Sequence, residues 1–105
     1  MRIAIASTGD TLDAKIDSRF GRCSFFAFYD TETKNVEFLE NEQKKSVQGA
    51  GPATVQFVAS HNAEKIISGE FGQKVKTLCD QLHIQLIIVA DENRSVQDII
   101  NTIKN

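Results

Sequence analysis

The sequence predicts one α/β domain built on a single mixed sheet, and three observations predict it. Five short stretches have the composition of strands: residues 2–7, 25–30, 36–40, 64–68 and 84–90. Three further stretches have the length and spacing of amphipathic helices, which gives the order β-β-β-α-β-α-β-α. The 105 residues suit one hydrophobic core and are too few for two, so a single domain over 1–105 is expected.

Residues 2–7 alternate Ile with Ala, as in a central strand covered on both faces. The second strand, Phe25-Phe26-Ala27-Phe28-Tyr29-Asp30, is rich in aromatics. A polar turn at 31–35 leads into Val36-Glu37-Phe38-Leu39-Glu40, so strands two and three form a hairpin. The polar loop 41–51 ends in Gly49-Ala50-Gly51, and Pro52 suits the first turn of a helix reaching about Ser60. Residues 64–68 form a short fourth strand. After Gly69-Glu70-Phe71-Gly72, a second helix carries the stripe Val75, Leu78, Cys79 and Leu82. Residues 84–90 read as a fifth, buried strand. Ser95 caps a third helix, with Asp98 completing a capping box and Val96, Ile99, Ile100 and Ile103 as its stripe. The meander of the first three strands is antiparallel and the later β-α-β crossovers are right-handed and parallel, which sets the sheet order 3-2-1-4-5.

Composition narrows the function classes. The formal net charge is −2, and the only basic pairs are Arg19 with Arg22 and Lys44 with Lys45, so no nucleic-acid partner is expected. No apolar run approaches the roughly 18 residues of a membrane span, so no membrane partner is expected either. The opening Met1–Ala6 is too short for a secretory signal, and the two cysteines form no disulfide framework. A cytoplasmic location is the expectation. Without a Cys-x-x-Cys or His-x-x-x-His pair, no closed zinc site is expected.

The topology brings four loops to one edge of the sheet: 7–24, 41–52, 69–72 and 91–95. All six glycines (Gly9, Gly21, Gly49, Gly51, Gly69 and Gly72) and the single proline lie in them, and the opposite turns have none. Two glycine-led helix starts on one edge make an anion cradle, because helix N-termini present free N–H groups and partial positive charge. This edge also lies beyond the carboxyl ends of the parallel strands, where open α/β sheets hold ligands.

The chemical residues of that edge each have two readings. Arg19 and Arg22, around Phe20-Gly21, are either anion contacts or solvated surface charge. Cys23 is either a soft metal ligand or a small buried strand residue. Asp10, Asp13 and Asp17 could take a hard cation but match no calcium-loop spacing. Ser7, Thr8 and Ser68 offer polar contacts, with no histidine near to make a nucleophile pair. Cys79 reads as core, and His61 and His83 sit at the ends of helices on the opposite edge.

Four segments in order resemble one family. They are Arg2-Ile3-Ala4-Ile5-Ala6-Ser7, Asp17-Ser18-Arg19-Phe20-Gly21-Arg22-Cys23 followed by Phe25-Phe26, Gly49-Ala50-Gly51, and Ser68-Gly69-Glu70-Phe71-Gly72. Together they span nearly the whole chain and are similar to the dinitrogenase iron–molybdenum cofactor family, small domains that carry or help assemble the nitrogenase cluster. The resemblance implies a ribonuclease-H-like three-layer fold. It also implies a non-catalytic carrier of an iron–molybdenum or other molybdenum–sulfur cluster, with donor or acceptor proteins as partners. A related small carrier of similar fold holds a molybdenum–copper sulfide cluster, which brings thiomolybdate-type ligands into the expectation. The site this implies is Arg19, Phe20, Gly21, Arg22, Cys23, Gly49, Gly51, Gly69 and Gly72, with Cys23 as the metal ligand. Family members often carry histidine where this chain has Arg19 and Gln48.

Three function classes therefore stand. The first is the carrier of an anionic metal–sulfur cluster. The second is a metal-dependent nuclease or phosphoryl-transfer enzyme using Asp10 or Asp91. It lacks the strand-borne carboxylates such chemistry needs, since residues 3–6 are all apolar. The third is a metal-free regulatory or interaction module that binds a small anion or a protein. A monomer or weak dimer is expected in each case.

Overall fold

The computed structural model describes residues 1–45 and 49–103. Its five strands are β1 (Arg2–Ser7), β2 (Phe25–Asp30), β3 (Val36–Glu40), β4 (Ala63–Ser68) and β5 (Gln85–Ile88). The helices are α1 (Ala50–Ser60), α2 (Gln73–Gln81) and α3 (Val96–Thr102), with short 3₁₀ turns at Phe20–Arg22 and Glu42–Lys45. The sheet order is β3-β2-β1-β4-β5. The β1–β2 and β2–β3 pairs are antiparallel, and β1–β4 and β4–β5 are parallel. The expected mixed sheet with three helices is the fold observed.

Volume matching across strands explains why β1 alternates Ile with Ala. Ala4 lies opposite Phe28, Ala6 opposite Phe26, and Ile5 opposite Ala27. At these three central positions a large side chain faces a small one, so the middle of both faces fills evenly, while Ile3 lies opposite Tyr29 at the strand's start. On one face Ala4, Ala6, Phe26 and Phe28 join Val55 and Val58 of α1 and Val75 and Cys79 of α2. On the other, Ile3, Ile5, Ala27 and Ile67 join Val96 and Ile99 of α3. The period of two along the strands thus assigns the helices to opposite layers.

Some boundaries and burials differ from the sequence reading. Helix α1 starts at Ala50, because Gly49 takes the left-handed conformation (φ +70°) and turns the chain before Pro52. Strand β5 is shorter than 84–90 and is not buried throughout: it ends the sheet, and Ile88 is 59% exposed. Ile88 shares the α1/α2 face with Leu86, while Ile87 and Val89 pack on the α3 side, so its exposure lies on the face away from α3. Leu82 ends α2 as its C-cap and is 41% exposed, so the buried stripe there is Val75 and Cys79. The α3 capping box forms as expected: Asp98 N–H donates to Ser95 Oγ and Ser95 N–H to Asp98 Oδ2. The bond from Ser95 N–H is the main cause that lowers the Asp98 carboxyl from its ordinary value.

Among the described residues, no helix is long and apolar enough to cross a membrane.

Truncating Phe26, fully buried at the centre of the larger core, should cost about 3–5 kcal/mol. Ile88→Ala at the exposed edge should stay within about 0.5 kcal/mol of the parent. Denaturant unfolding of both variants checks the contrast.

Candidate functional site

The long segment after β1 is pinned to the sheet by Asp17. Its N–H donates to the Ala6 carbonyl, and its own carbonyl accepts from Ser68 Oγ (3.2 Å) and Gly69 N–H (3.4 Å). Its carboxylate is buried and turns back on Arg19. Oδ1 accepts from Arg19 N–H (2.9 Å) and Nε (3.3 Å), and Oδ2 from Nη2 (3.4 Å). Hydrogen bonding to Asp17, and then its charge, raise the Arg19 guanidinium pKa further. The guanidinium is therefore both fixed and cationic at any pH at which the fold survives.

Asn41 pins the far side of the same segment. It is fully buried, and Nδ2 donates to the carbonyls of Cys23 (3.0 Å) and Gly21 (3.3 Å) while Oδ1 accepts from Gln43 N–H (3.1 Å). Phe20 packs on Phe26 and Phe71, with centroids 5.6 and 5.5 Å apart. The 3₁₀ turn Phe20–Arg22 is thereby laid against the start of α1. A side chain at residue 21 would approach the Gly51 nitrogen to 3.1 Å, and one at residue 51 would meet Val75 Cγ2 at 2.8 Å. Glycine at 21 lets the turn's backbone close on that of α1, and glycine at 51 leaves room for the Val75 side chain.

The turn, α1 and α2 close around a groove of about 410 Å³, lined by Arg19 to Arg22, Gly51, Pro52, Glu70 and Gly72 to Val75. Three cationic residues (Arg19, Arg22 and Lys74) and the acidic Glu70 are among these, and Arg22 Nη1 donates to the Lys44 carbonyl (2.6 Å). The helices α1 and α2 both start here, from Gly49 and Gly72, and neither receives a side-chain cap. The first-turn residues Gly51, Gln73, Lys74 and Val75, whose N–H groups have no intrahelical partner, line the groove, while Pro52 offers no N–H.

The third helix start on this edge is closed. Besides its capping box, Val96 N–H donates to the Ala14 carbonyl and Gln97 N–H to the Leu12 carbonyl. The segment 8–15 lies across it, held also by Lys15 Nζ on the Asn93 carbonyl (2.8 Å). Loop 91–95 therefore lies apart from the groove.

Arg19, Phe20, Gly21, Arg22, Gly51 and Gly72 of the expected site line this groove, whereas Gly49, Gly69 and Cys23 do not. Gly49 turns the chain into α1. At residue 69 a side chain would overlap Ser18, with its Cβ 2.5 Å from the Ser18 Cα. Cys23 is the larger correction. It is fully buried in the core cluster, and its thiol donates to the Phe20 carbonyl (3.2 Å). Burial, with the Asp17 charge adding, pushes this thiol up to about 12. A neutral thiol facing inward gives the groove no thiolate. Gln48 lies outside the described residues.

The other candidates are also used internally. Ser7 Oγ donates to the Gly9 carbonyl (2.6 Å), Thr8 Oγ1 to the Lys15 carbonyl (2.9 Å), and Ser68 Oγ to Asp17. Asp10 and Asp13 are exposed while Asp17 is buried on Arg19, and among the described residues no group of three or more His, Cys, Asp or Glu could hold a metal ion. His61 caps the C-terminus of α1 and stacks between Phe28 and Phe57 at the opposite edge. The groove residues missed by sequence reasoning are Pro52, Gln73, Lys74, Val75 and Glu70 in its role as a lining residue. Their signal is position, since each lies in or beside the first turn of α1 or α2.

The sequence profile of the dinitrogenase iron-molybdenum cofactor family matches residues 1–105. The chain belongs to this family. Among solved structures, it is similar to the apo form of the orange protein from Desulfovibrio gigas. The TM-score is 0.89 at 28% identity, over 95% of this chain and 83% of that one. It is also similar to a Thermotoga protein described as a candidate NifB protein of the DUF35 family, with TM-score 0.81, 32% identity, and 95% and 84% coverage. An uncharacterized protein of Methanocaldococcus jannaschii is 28% identical over 75 residues, and the match spans 69% of this chain but only 64% of that protein.

The buried thiol gives a pH prediction. A Cys23 pKa raised to about 12 in the fold means the unfolded chain loses this proton first as pH rises. The thiol's contribution is whole below about pH 9 and is lost progressively up to about pH 12, at roughly 1.4 kcal/mol per pH unit. Unfolding free energies of the parent should fall more steeply over that window than those of Cys23→Ala. Parallel slopes would contradict the assignment.

Proposed function

We propose that this protein is a non-catalytic carrier of an anionic metal–sulfur cluster or its precursor, of the iron–molybdenum or thiomolybdate type. The observation that carries this reading is the pair of uncapped helix starts opening into a groove flanked by Arg19, Arg22 and Lys74. Two sets of N–H donors and fixed guanidinium groups suit a soft, delocalised anion held through its outer sulfur or oxygen atoms. Family membership points the same way, to handling of the iron–molybdenum cofactor. The similarity to the apo form of the orange protein favours a small-domain carrier.

The donor set decides how the cargo is held. The groove lining contains no Cys or His, and Arg19 stands where a histidine is common in the family. The cargo arrives with its own coordination sphere complete and is bound by charge and hydrogen bonds. Transfer then breaks no metal–protein bond, which suits a protein placed between a donor and an acceptor. The sheet order with β2 antiparallel supports the ribonuclease-H-like naming of the fold. β1 nonetheless offers no carboxylate for nuclease chemistry. The metal-free anion or protein-binding module is the alternative, and the same groove would serve it.

Anaerobic titration with tetrathiomolybdate, alone and with copper or iron, should give saturable binding followed by visible absorption. Arg19→Ala and Arg22→Ala should each weaken it about tenfold, the loss of one charged hydrogen bond, while Cys23→Ala leaves it unchanged. A flat titration with folded protein would overturn the metal–sulfur cargo and favour the metal-free module.

A further inference from the structure

Glu70 is the one carboxylate in a groove otherwise built for anions. It is exposed, it lines the groove with Arg19, Arg22 and Lys74, and it makes no ion pair among the described residues. Its place is fixed by backbone on both sides. Residue 70 pairs with Arg19 as a parallel bridge, and Gly69 N–H bonds to the Asp17 carbonyl. Gly72 opens α2 two residues later. Glu70 therefore stands beside the α2 N-terminus, between the cations of one wall and the donors of the other.

Resting on the anion-carrying reading above, we propose that Glu70 sets the groove's affinity and selectivity by repelling the cargo it borders. Arg19 is paired from behind by Asp17 and Arg22 donates to the Lys44 carbonyl, so the positive potential of the groove is shared among the three cations and the two helix starts. One fixed negative charge at the rim offsets a large part of it. The effect grows with the charge density of the anion. Small hard dianions such as sulfate, which keep their charge concentrated, are disfavoured relative to large sulfide-rich anions that also gain dispersion contact with Phe20, Pro52 and Val75. The same repulsion speeds release, which a carrier requires.

A purely structural role for Glu70, stabilising α2 through its dipole, predicts the opposite sign. Removing the charge would then loosen α2 and weaken binding.

The test compares the full chain with Glu70→Gln and Glu32→Gln. The second changes net charge equally at the opposite sheet edge, in the turn after β2. Tetrathiomolybdate binding is measured by absorption, and sulfate binding by amide shifts, at low and high salt. Glu70→Gln should tighten tetrathiomolybdate binding about five-fold at low salt, as Coulomb's law gives for one charge facing a dianion about 8 Å away in water. The gain should shrink at about 0.5 M salt, sulfate binding should tighten at least as much, and Glu32→Gln should match the parent. If the parent binds tetrathiomolybdate and Glu70→Gln binds both probes equally or more weakly, the role of Glu70 is overturned and the carrier reading stands. If the parent ignores tetrathiomolybdate while Glu70→Gln gains sulfate binding, the role of Glu70 stands and the carrier reading falls. Silence of both proteins toward both probes overturns both.

Discussion

Everything at the functional edge depends on the buried Asp17. Its main chain ties the long loop after β1 to the ends of β1 and β4, and its carboxylate holds Arg19 by backbone and side chain together. A buried carboxylate is costly unless paired, and here its partners are a main-chain donor and a guanidinium. With Asp17 in place, Arg19 lines the groove, Phe20 seats on Phe26 and Phe71, and the 3₁₀ turn lies on the start of α1. The sheet supplies a rigid frame, and Asp17, with Asn41 on the far side, holds the loop draped over it.

The edge then divides by how each helix start is treated. The N–H groups at the start of α3 are taken by Ser95 and by the carbonyls of Leu12 and Ala14. Those of α1 and α2 receive no side-chain cap, and both helices begin at the groove. With Gly49 and Gly72 at the N-cap, each start forgoes only a few tenths of a kcal/mol relative to a capping side chain. Two such starts facing one groove beside three cationic side chains make sense as donors kept for an anion. Cys23, by contrast, serves the core, where its thiol fills the space under the turn and stays protonated.

Much of the fold was legible because it rests on local pattern. The Ile/Ala alternation of β1, the hairpin signal of 25–40 and the Ser95–Asp98 box are written in neighbouring residues, and the sheet order follows from connection rules. What was not legible rests on long-range contact. Nothing near Cys23 in sequence says that Asn41 and Phe20 will enclose it, and nothing in 84–90 says that β5 will be an edge strand with Ile88 left open on the α1/α2 face. The glycine count pointed to the correct edge, but for a partly different reason. The turns on the opposite edge take positive φ at Lys34, Asn62 and His83 without glycine, so the glycines at Gly21, Gly51 and Gly69 mark close backbone approach. Asp17 was visible as one of three loop acids and as the first residue of the segment 17–23; its inward turn appears once the strand ends are brought together.

The central claim is that the open starts of α1 and α2 hold the anion, and amide NMR during an anaerobic tetrathiomolybdate titration tests it most directly. Saturating shifts are expected at the amides of Gly51, Gln73, Lys74 and Val75, with Val96 and Gln97 unmoved. Shifts centred on α3 and the 8–15 segment, or none on the groove amides at saturation, would contradict it.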